Sequence, residues 1–194
     1  MQNNLPKIFL FVDDFNLKEF INLNKNIDII YRNYKKKIDK SILLSIKRFC
    51  KKTNRKFYIS NDIKLALNLD IDGLYIPSFN KKINYVNHHI QKKFHIIGSA
   101  HNKIELRIKK LQKCNMIFLS PIFKTNKNDK FLGVIKFNLI TLNEKKMFIA
   151  LGGINKKNIN KIHLTKSVGI AGISWIKKNG PRYYLRPFNK SLIT

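Results

Sequence analysis

Two small-residue clusters near the end of the chain are the residues best suited to holding an anion. Gly152-Gly153-Ile154 directly follows the apolar run Met147–Leu151, and Gly172-Ile173-Ser174 directly follows Val168–Ala171. If those runs are adjacent parallel strands, two turns rich in backbone N–H groups lie side by side at one mouth of a sheet. Such a cradle suits a phosphate, whose charge is met by amide dipoles. One glycine pair after a strand is an ordinary tight turn. Two of them, one strand apart, point to a ligand.

A second set of polar residues stands at or just past the ends of other apolar runs: Arg32, Asn61, Asp62, Ser99, His101, Ser120, Thr125, Lys127 and Lys130. Cations, hydroxyls, an amide and one carboxylate serve phosphate or diphosphate chemistry better than hydrolysis by a nucleophile–base pair. Arg32 offers a bidentate fork to a phosphate, and Asn61 both donates and accepts. Asp62 is open to two roles, a Mg²⁺ ligand and the N-cap of the helix that follows it. Ser99 and Thr125 are placed to hydrogen-bond a departing diphosphate, while Lys127 and Lys130 neutralise its growing charge or merely keep a loop soluble. His101 is either a proton donor or a surface histidine.

Those residues need a scaffold that gathers strand ends. Short apolar runs recur at Lys7–Val12, Ile27–Tyr31, Lys56–Ser60, Gly73–Ile76, Phe94–Ile97, Asn115–Leu119, Met147–Leu151 and Val168–Ala171. Helical spacing fills Ile38–Cys50, Ile63–Leu69 behind Asp62, and Asn102–Lys113, where Glu105 can close a capping box on Asn102. Weaker helices are expected over Asn84–Lys93, Val134–Leu142 and, capped by Asn155, Lys156–His163. The basic segment Phe123–Phe131 is long enough to form a loop over a site. Continuous apolar strands alternating with helices imply a parallel sheet covered on both faces, and eight such runs favour a closed (β/α)₈ barrel with short helices. No Gly-x-Gly-x-x-Gly follows the first run, so a dinucleotide fold lacks its marker. Residues 1–176 read as one barrel domain. From Lys177 to Thr194 the chain is a basic, aromatic tail that suits packing on the barrel or on a second subunit as a homodimer.

Composition bounds the partners. The 194 residues are 44% hydrophobic, and charged or amide side chains interrupt every apolar run before it reaches membrane-spanning length. No secretory leader pattern precedes Lys7, and Cys50 and Cys114 show no metal spacing, so two reduced thiols and a cytoplasmic location are expected. A net charge of +28, from 39 Lys and Arg against 11 Asp and Glu, speeds capture of phosphorylated substrates. It also gives unspecific affinity for polyanions, but no nucleic-acid-binding motif accompanies it.

Taken in order, Asn61-Asp62, Asp72-Gly73-Leu74-Tyr75, Gly98-Ser99-Ala100-His101, Ser120-Pro121-Ile122-Phe123-Lys124-Thr125, Ala150-Leu151-Gly152-Gly153-Ile154 and Gly169-Ile170-Ala171-Gly172-Ile173-Ser174 resemble the thiamine-phosphate synthases and TenI-type proteins. The resemblance spans roughly Lys7–Ile176. It implies a TIM barrel that joins hydroxymethylpyrimidine diphosphate to hydroxyethylthiazole phosphate with release of diphosphate. On that reading Arg32, Asn61, Ser99 and a loop lysine, Lys127 or Lys130, hold the pyrimidine diphosphate. Asp62, aided by Asn80, binds Mg²⁺, while Thr125, Gly152, Gly153, Gly172, Ile173 and Ser174 hold the thiazole phosphate. Asn33 and Tyr34 stand where the resemblance implies an acid and a lysine, Asn80 where it implies a second carboxylate, Asn128 where it implies the loop lysine, and Pro121 where a tautomerase has histidine. The alternative is a catalytically degraded barrel that binds a phosphorylated ligand or a polyanion.

Overall fold

The computed structural model describes residues 7–34, 38–83, 93–126 and 129–179. Eight parallel strands, β1 (Lys7–Val12), β2 (Ile27–Tyr31), β3 (Phe57–Ser60), β4 (Gly73–Ile76), β5 (His95–Ala100), β6 (Met116–Leu119), β7 (Met147–Leu151) and β8 (Ser167–Gly172), pair in sequence order. The last returns to β1, closing the (β/α)₈ barrel expected from the sequence. Around it lie short helices: α1 (Leu17–Ile21), α2 (Lys40–Lys52), α3 (Ile63–Asn68), α4 (Lys103–Leu111), α5 (Gly133–Thr141), a 3₁₀ turn over Ile159–Leu164, and α6 (Ser174–Asn179). Among the described residues no helix is long and apolar enough to cross a membrane.

Strand alternation divides the core in two. One set of side chains, including Phe9, Phe11, Tyr58, Tyr75, Met116 and Phe118, fills the barrel, and the other packs between sheet and helices. Inside, Phe9–Phe118, Phe11–Tyr75 and Tyr75–Phe118 meet edge to face with centroids 5.0, 5.1 and 5.6 Å apart, the arrangement that ring quadrupoles favour. The barrel is therefore plugged, and ligands are confined to its rim. Burial pushes the Cys50 and Cys114 thiols up to about 12, and both are free.

Local chemistry moves several expected boundaries. Helix α2 begins at Lys40 because Asp39 caps it, its carboxylate accepting from the Ser41 N–H at 2.8 Å. Strand β5 does not stop before Gly98-Ser99 but pairs Gly98, Ser99 and Ala100 with Ile117, Phe118 and Leu119, which puts Ser99 inside the barrel wall. The segment after Asn155 forms only the 3₁₀ turn: Asn155 Oδ1 accepts from the Lys157 N–H at 2.9 Å, Asn158 Oδ1 accepts from the Asn155 N–H at 2.8 Å, and both Nδ2 groups donate to the Gly153 carbonyl. Asn102 caps α4 as expected, accepting from the Glu105 N–H at 2.9 Å, but Glu105 reaches back to the His101 N–H at 2.8 Å instead of closing the box on Asn102. The helix expected at 84–93 falls almost wholly outside the described residues.

Candidate active site

The C-terminal ends of the strands collect the polar residues that the sequence singled out. Leu151 pairs with Ala171 across β7 and β8, so the turns at Gly152-Gly153 and Gly172-Ile173-Ser174 leave the rim side by side. Gly152 and Gly153 have φ of 93° and 71°, backbone that a side chain strains. A Cβ on Gly153 would also land on the Phe123 and Lys124 carbonyls, so the β6 loop is packed directly over this turn. The Gly153 carbonyl is drawn back by Asn158 Nδ2 at 2.8 Å and Asn155 Nδ2 at 3.3 Å. Thr125, half-buried, sits in that β6 loop.

Across the mouth, Arg32 follows β2 with its N–H donating to the Val12 carbonyl at 2.7 Å and its guanidinium 4.5 Å above the Phe11 ring. The Tyr75 hydroxyl faces Ser99 and the Arg32 guanidinium, so residues from the end of β2, from β4 and from β5 approach one corner. Burial pushes the Tyr75 phenol up to about 12 against the pull of Ser99 and Arg32. It is a neutral donor and acceptor here. Asn61 takes left-handed backbone, φ 66°, which asparagine tolerates best among residues with a side chain. Its N–H donates to the Tyr75 carbonyl at 2.9 Å, and its Oδ1 accepts from Asn80 Nδ2 at 2.5 Å. At the outer edge the Tyr34 hydroxyl lies 2.7 Å from the buried Ser60 hydroxyl, and its ring meets Phe79 at 5.5 Å. Burial raises the Tyr34 phenol, with Ser60 and Arg32 pulling the other way.

Asp62 performs the capping role, its Oδ1 accepting from the Leu65 N–H at 2.9 Å at the head of α3. A carboxylate keeps further lone pairs when one oxygen caps a helix. Asn80 holds its Oδ1 toward the Lys82 N–H at 2.9 Å. Among the described residues no group of three or more histidine, cysteine or acidic side chains is clustered as a metal cage. One carboxylate and one amide oxygen instead suit a Mg²⁺ that keeps most of its water and is held largely by a substrate's phosphates. Lys130 is exposed on the β6 loop, whereas Lys127 lies outside the described residues. His101 Nδ1 is hydrogen-bonded to the Glu105 carboxylate at 2.9 Å. Tyr75 and Phe79 are mouth residues to which sequence reading gave no role, and Tyr34 was noted only as standing where the resemblance implies a lysine. Tyr75 was detectable in principle as an inward position one residue before the end of β4.

Comparison with known proteins agrees with this geometry. A family model described as thiamine monophosphate synthase matches residues 26–176. A thiamine-phosphate synthase of Prochlorococcus marinus is 36% identical over 129 residues, covering 66% of this chain and 36% of that protein. A Streptococcus pneumoniae thiamine-phosphate synthase 1 is 30% identical over 140 residues, covering 70% of this chain and 66% of that protein. The matched stretches thus span about a third to two thirds of these relatives' lengths. In fold, a thiamine phosphate pyrophosphorylase of Pyrococcus furiosus superposes with a TM-score of 0.72 at 20% identity, covering 94% of this chain and 91% of that one.

Proposed function

Since the chain belongs to the thiamine monophosphate synthase family, we propose that it joins hydroxymethylpyrimidine diphosphate to hydroxyethylthiazole phosphate and releases diphosphate. The observation that supports this reading is the placement at one barrel mouth of the paired turns after β7 and β8 and of Arg32, Tyr75 and Ser99, two groups whose chemistry suits anions. Arg32 binds and orients the diphosphate, and Asn61 and Ser99 donate to it. Lys130 or Lys127 balances the negative charge that grows as the bond to the pyrimidine methylene lengthens. The turn amides hold the thiazole phosphate so that its ring nitrogen faces the methylene, which makes the reaction effectively unimolecular. Asp62 and Asn80 would hold Mg²⁺, whose chemistry is to neutralise phosphate oxygens as diphosphate departs. The test is direct: the purified protein with both precursors and Mg²⁺ should release diphosphate and form the coupled product. No turnover at saturating precursor overturns the assignment.

A second reading has its own support. Tyr34, bound to Ser60, stands where the resemblance implies a lysine, and Asn80, bound to Asn61, where it implies a carboxylate. A barrel that binds a phosphorylated ligand without turning it over accounts for both replacements. Calorimetry separates the two, because that barrel shows affinity for each phosphorylated precursor with no diphosphate released.

A further inference from the structure

The barrel has a second polar end. Its floor lies at the strand starts, on the far side of the aromatic plug from the mouth. Alternation fixes which side chains meet there: Lys7, Asp28, Lys56 and His95 each stand two residues before an inward core residue, Phe9, Ile30, Tyr58 and Ile97 in turn. Layers inside a barrel are ordinarily apolar, whereas this one carries two ammonium groups, a carboxylate and an imidazole. They line a cavity of about 310 Å³ together with Tyr58, Asn115 and Met116.

The polar groups at this cavity are only partly spent on one another. Lys7 Nζ has the Met116 thioether at 3.7 Å, a weak acceptor. Lys56 Nζ donates to His95 Nε2 at 2.7 Å and keeps two further protons, since an ammonium carries three. Asp28 accepts from the Lys56 N–H through Oδ1 at 2.9 Å, which leaves Oδ2. Among the described residues no lysine is ion-paired with it. Asn115 Oδ1 accepts from the Ile96 N–H at 3.0 Å, which leaves its Nδ2. Tyr58 is 1% exposed, and among the described residues its hydroxyl has no hydrogen-bond partner. Burial first, and then the Asp28 and Asp72 carboxylates, push its phenol up, so it is a neutral donor on the floor side. A buried hydroxyl without a partner is costly, and so are opposite charges held apart, unless a ligand bridges them.

We propose that this floor binds a hydrogen-phosphate group, at a site separate from the mouth and independent of the synthase reading. Lys7, Lys56, Tyr58 and Asn115 come from the heads of β1, β3 and β6 and bring donors to its oxygens from several sides, as a tetrahedral anion requires. Asp28 brings the opposite, an acceptor that repels a bare anion oxygen and accepts from a P–OH. Phosphate near neutral pH keeps such a proton, whereas sulfate and carboxylates have none. Both lysines reach solvent, which gives the ion a way in. Phe9, Tyr58 and Phe118 close the barrel between floor and mouth, so the bound group takes no part in chemistry at the strand ends.

The test is an NMR titration of the full chain at fixed neutral pH and ionic strength, followed at the His95 imidazole, which phosphate bound at the mouth does not touch. Inorganic phosphate should shift the His95 signals and bind about 10- to 100-fold more tightly than sulfate, which sets a bare oxygen against Asp28. Asp28→Asn should erase that preference, because its amide offers a donor to either ion. Tyr58→Phe keeps the ring and deletes one donor, so it should weaken phosphate about tenfold, and it serves even where Asp28→Asn fails to fold. Glycerol phosphate titrated beside inorganic phosphate tells a phosphorylated metabolite from the free ion by which binds more tightly, and either order upholds the site. His95 signals that ignore phosphate, equal affinity for phosphate and sulfate in the wild-type chain, a preference that survives Asp28→Asn, or full affinity in Tyr58→Phe each overturns the proposal. Phosphate bound at the floor of a chain that releases no diphosphate upholds this site and removes only the synthase reading.

Discussion

Replacing Gly153 with alanine tests the phosphate cradle at its most constrained point. The residue sits at φ 71°, and its new methyl would land on two backbone carbonyls of the β6 loop, Phe123 and Lys124. Left-handed backbone costs an ordinary residue about 1–2 kcal/mol, and forcing a methyl into a filled site costs about 1–3 kcal/mol more. The sum is roughly 2–5 kcal/mol, which in a chain of this size lowers the melting temperature by about 5–15 °C. Relief requires the turn to move, and its N–H groups then lose aim on the phosphate. One charge-assisted hydrogen bond lost is worth about 1.5–3 kcal/mol, or roughly 10- to 100-fold in affinity. Gly172→Ala is the stability comparison: its Cβ would meet only the flexible end of Ile176 at 3.4 Å, so its melting temperature should stay within about 1 kcal/mol equivalent of wild type. Thermal denaturation followed by circular dichroism and calorimetric titration with hydroxyethylthiazole phosphate read both effects. A Gly153→Ala protein with unchanged melting temperature and unchanged affinity would refute the steric argument and the cradle together.

Further outcomes follow from the same geometry. Asp62→Asn keeps the cap on Leu65 N–H but removes the charge, so stability should hold within about 0.5 kcal/mol while diphosphate release falls about 100-fold; equal activity would leave Asp62 with capping alone. Tyr75→Phe removes the hydroxyl that faces Arg32 and Ser99 and should raise the KM for the pyrimidine diphosphate about tenfold, a shift that steady-state kinetics would detect and that an unchanged KM would deny. Asp28, half-buried with its Oδ1 accepting from the Lys56 N–H at 2.9 Å, has its carboxyl raised above the ordinary value, chiefly by desolvation. The native state therefore binds that proton more tightly than the unfolded chain, and stability drops as pH rises through the folded pKa. Asp28→Asn should accordingly stabilise the protein at neutral pH, with the gain fading as pH falls toward the ordinary carboxylate value. Melting curves at several pH values check this, and a gain that persists undiminished in acid would contradict it.

Much of this architecture was legible because parallel strands buried on both faces must be continuously apolar. Lys7–Val12 and Met147–Leu151 read as strands at their observed boundaries. Asp62 and Asn102 were legible as caps for a similar reason, since a short polar side chain before an amphipathic run has a partner one turn away. Glu105 was misassigned because His101 and Asn102 both offer an N–H within its reach, and spacing does not rank them. Ser99 was read as a turn residue because glycine and serine usually end strands, yet cross-strand pairing to β6 carried β5 three residues further.

By itself the sequence determined the repeat of strand and helix, the glycine turns that close β7 and β8, and the excess of cations and amides at strand ends. These are local properties, set by side-chain volume, backbone freedom and spacing along a few residues. Tertiary structure decided which of those residues share a wall of the mouth. Tyr75 faces both Arg32 and Ser99 because barrel closure brings the ends of separate strands together, and Lys109 on α4 reaches the Pro77 and Asn80 carbonyls because Gly98 leaves its stem a passage. Contacts between residues tens of positions apart depend on shear, burial and the exclusion of water, none of which is written at any single place in the chain.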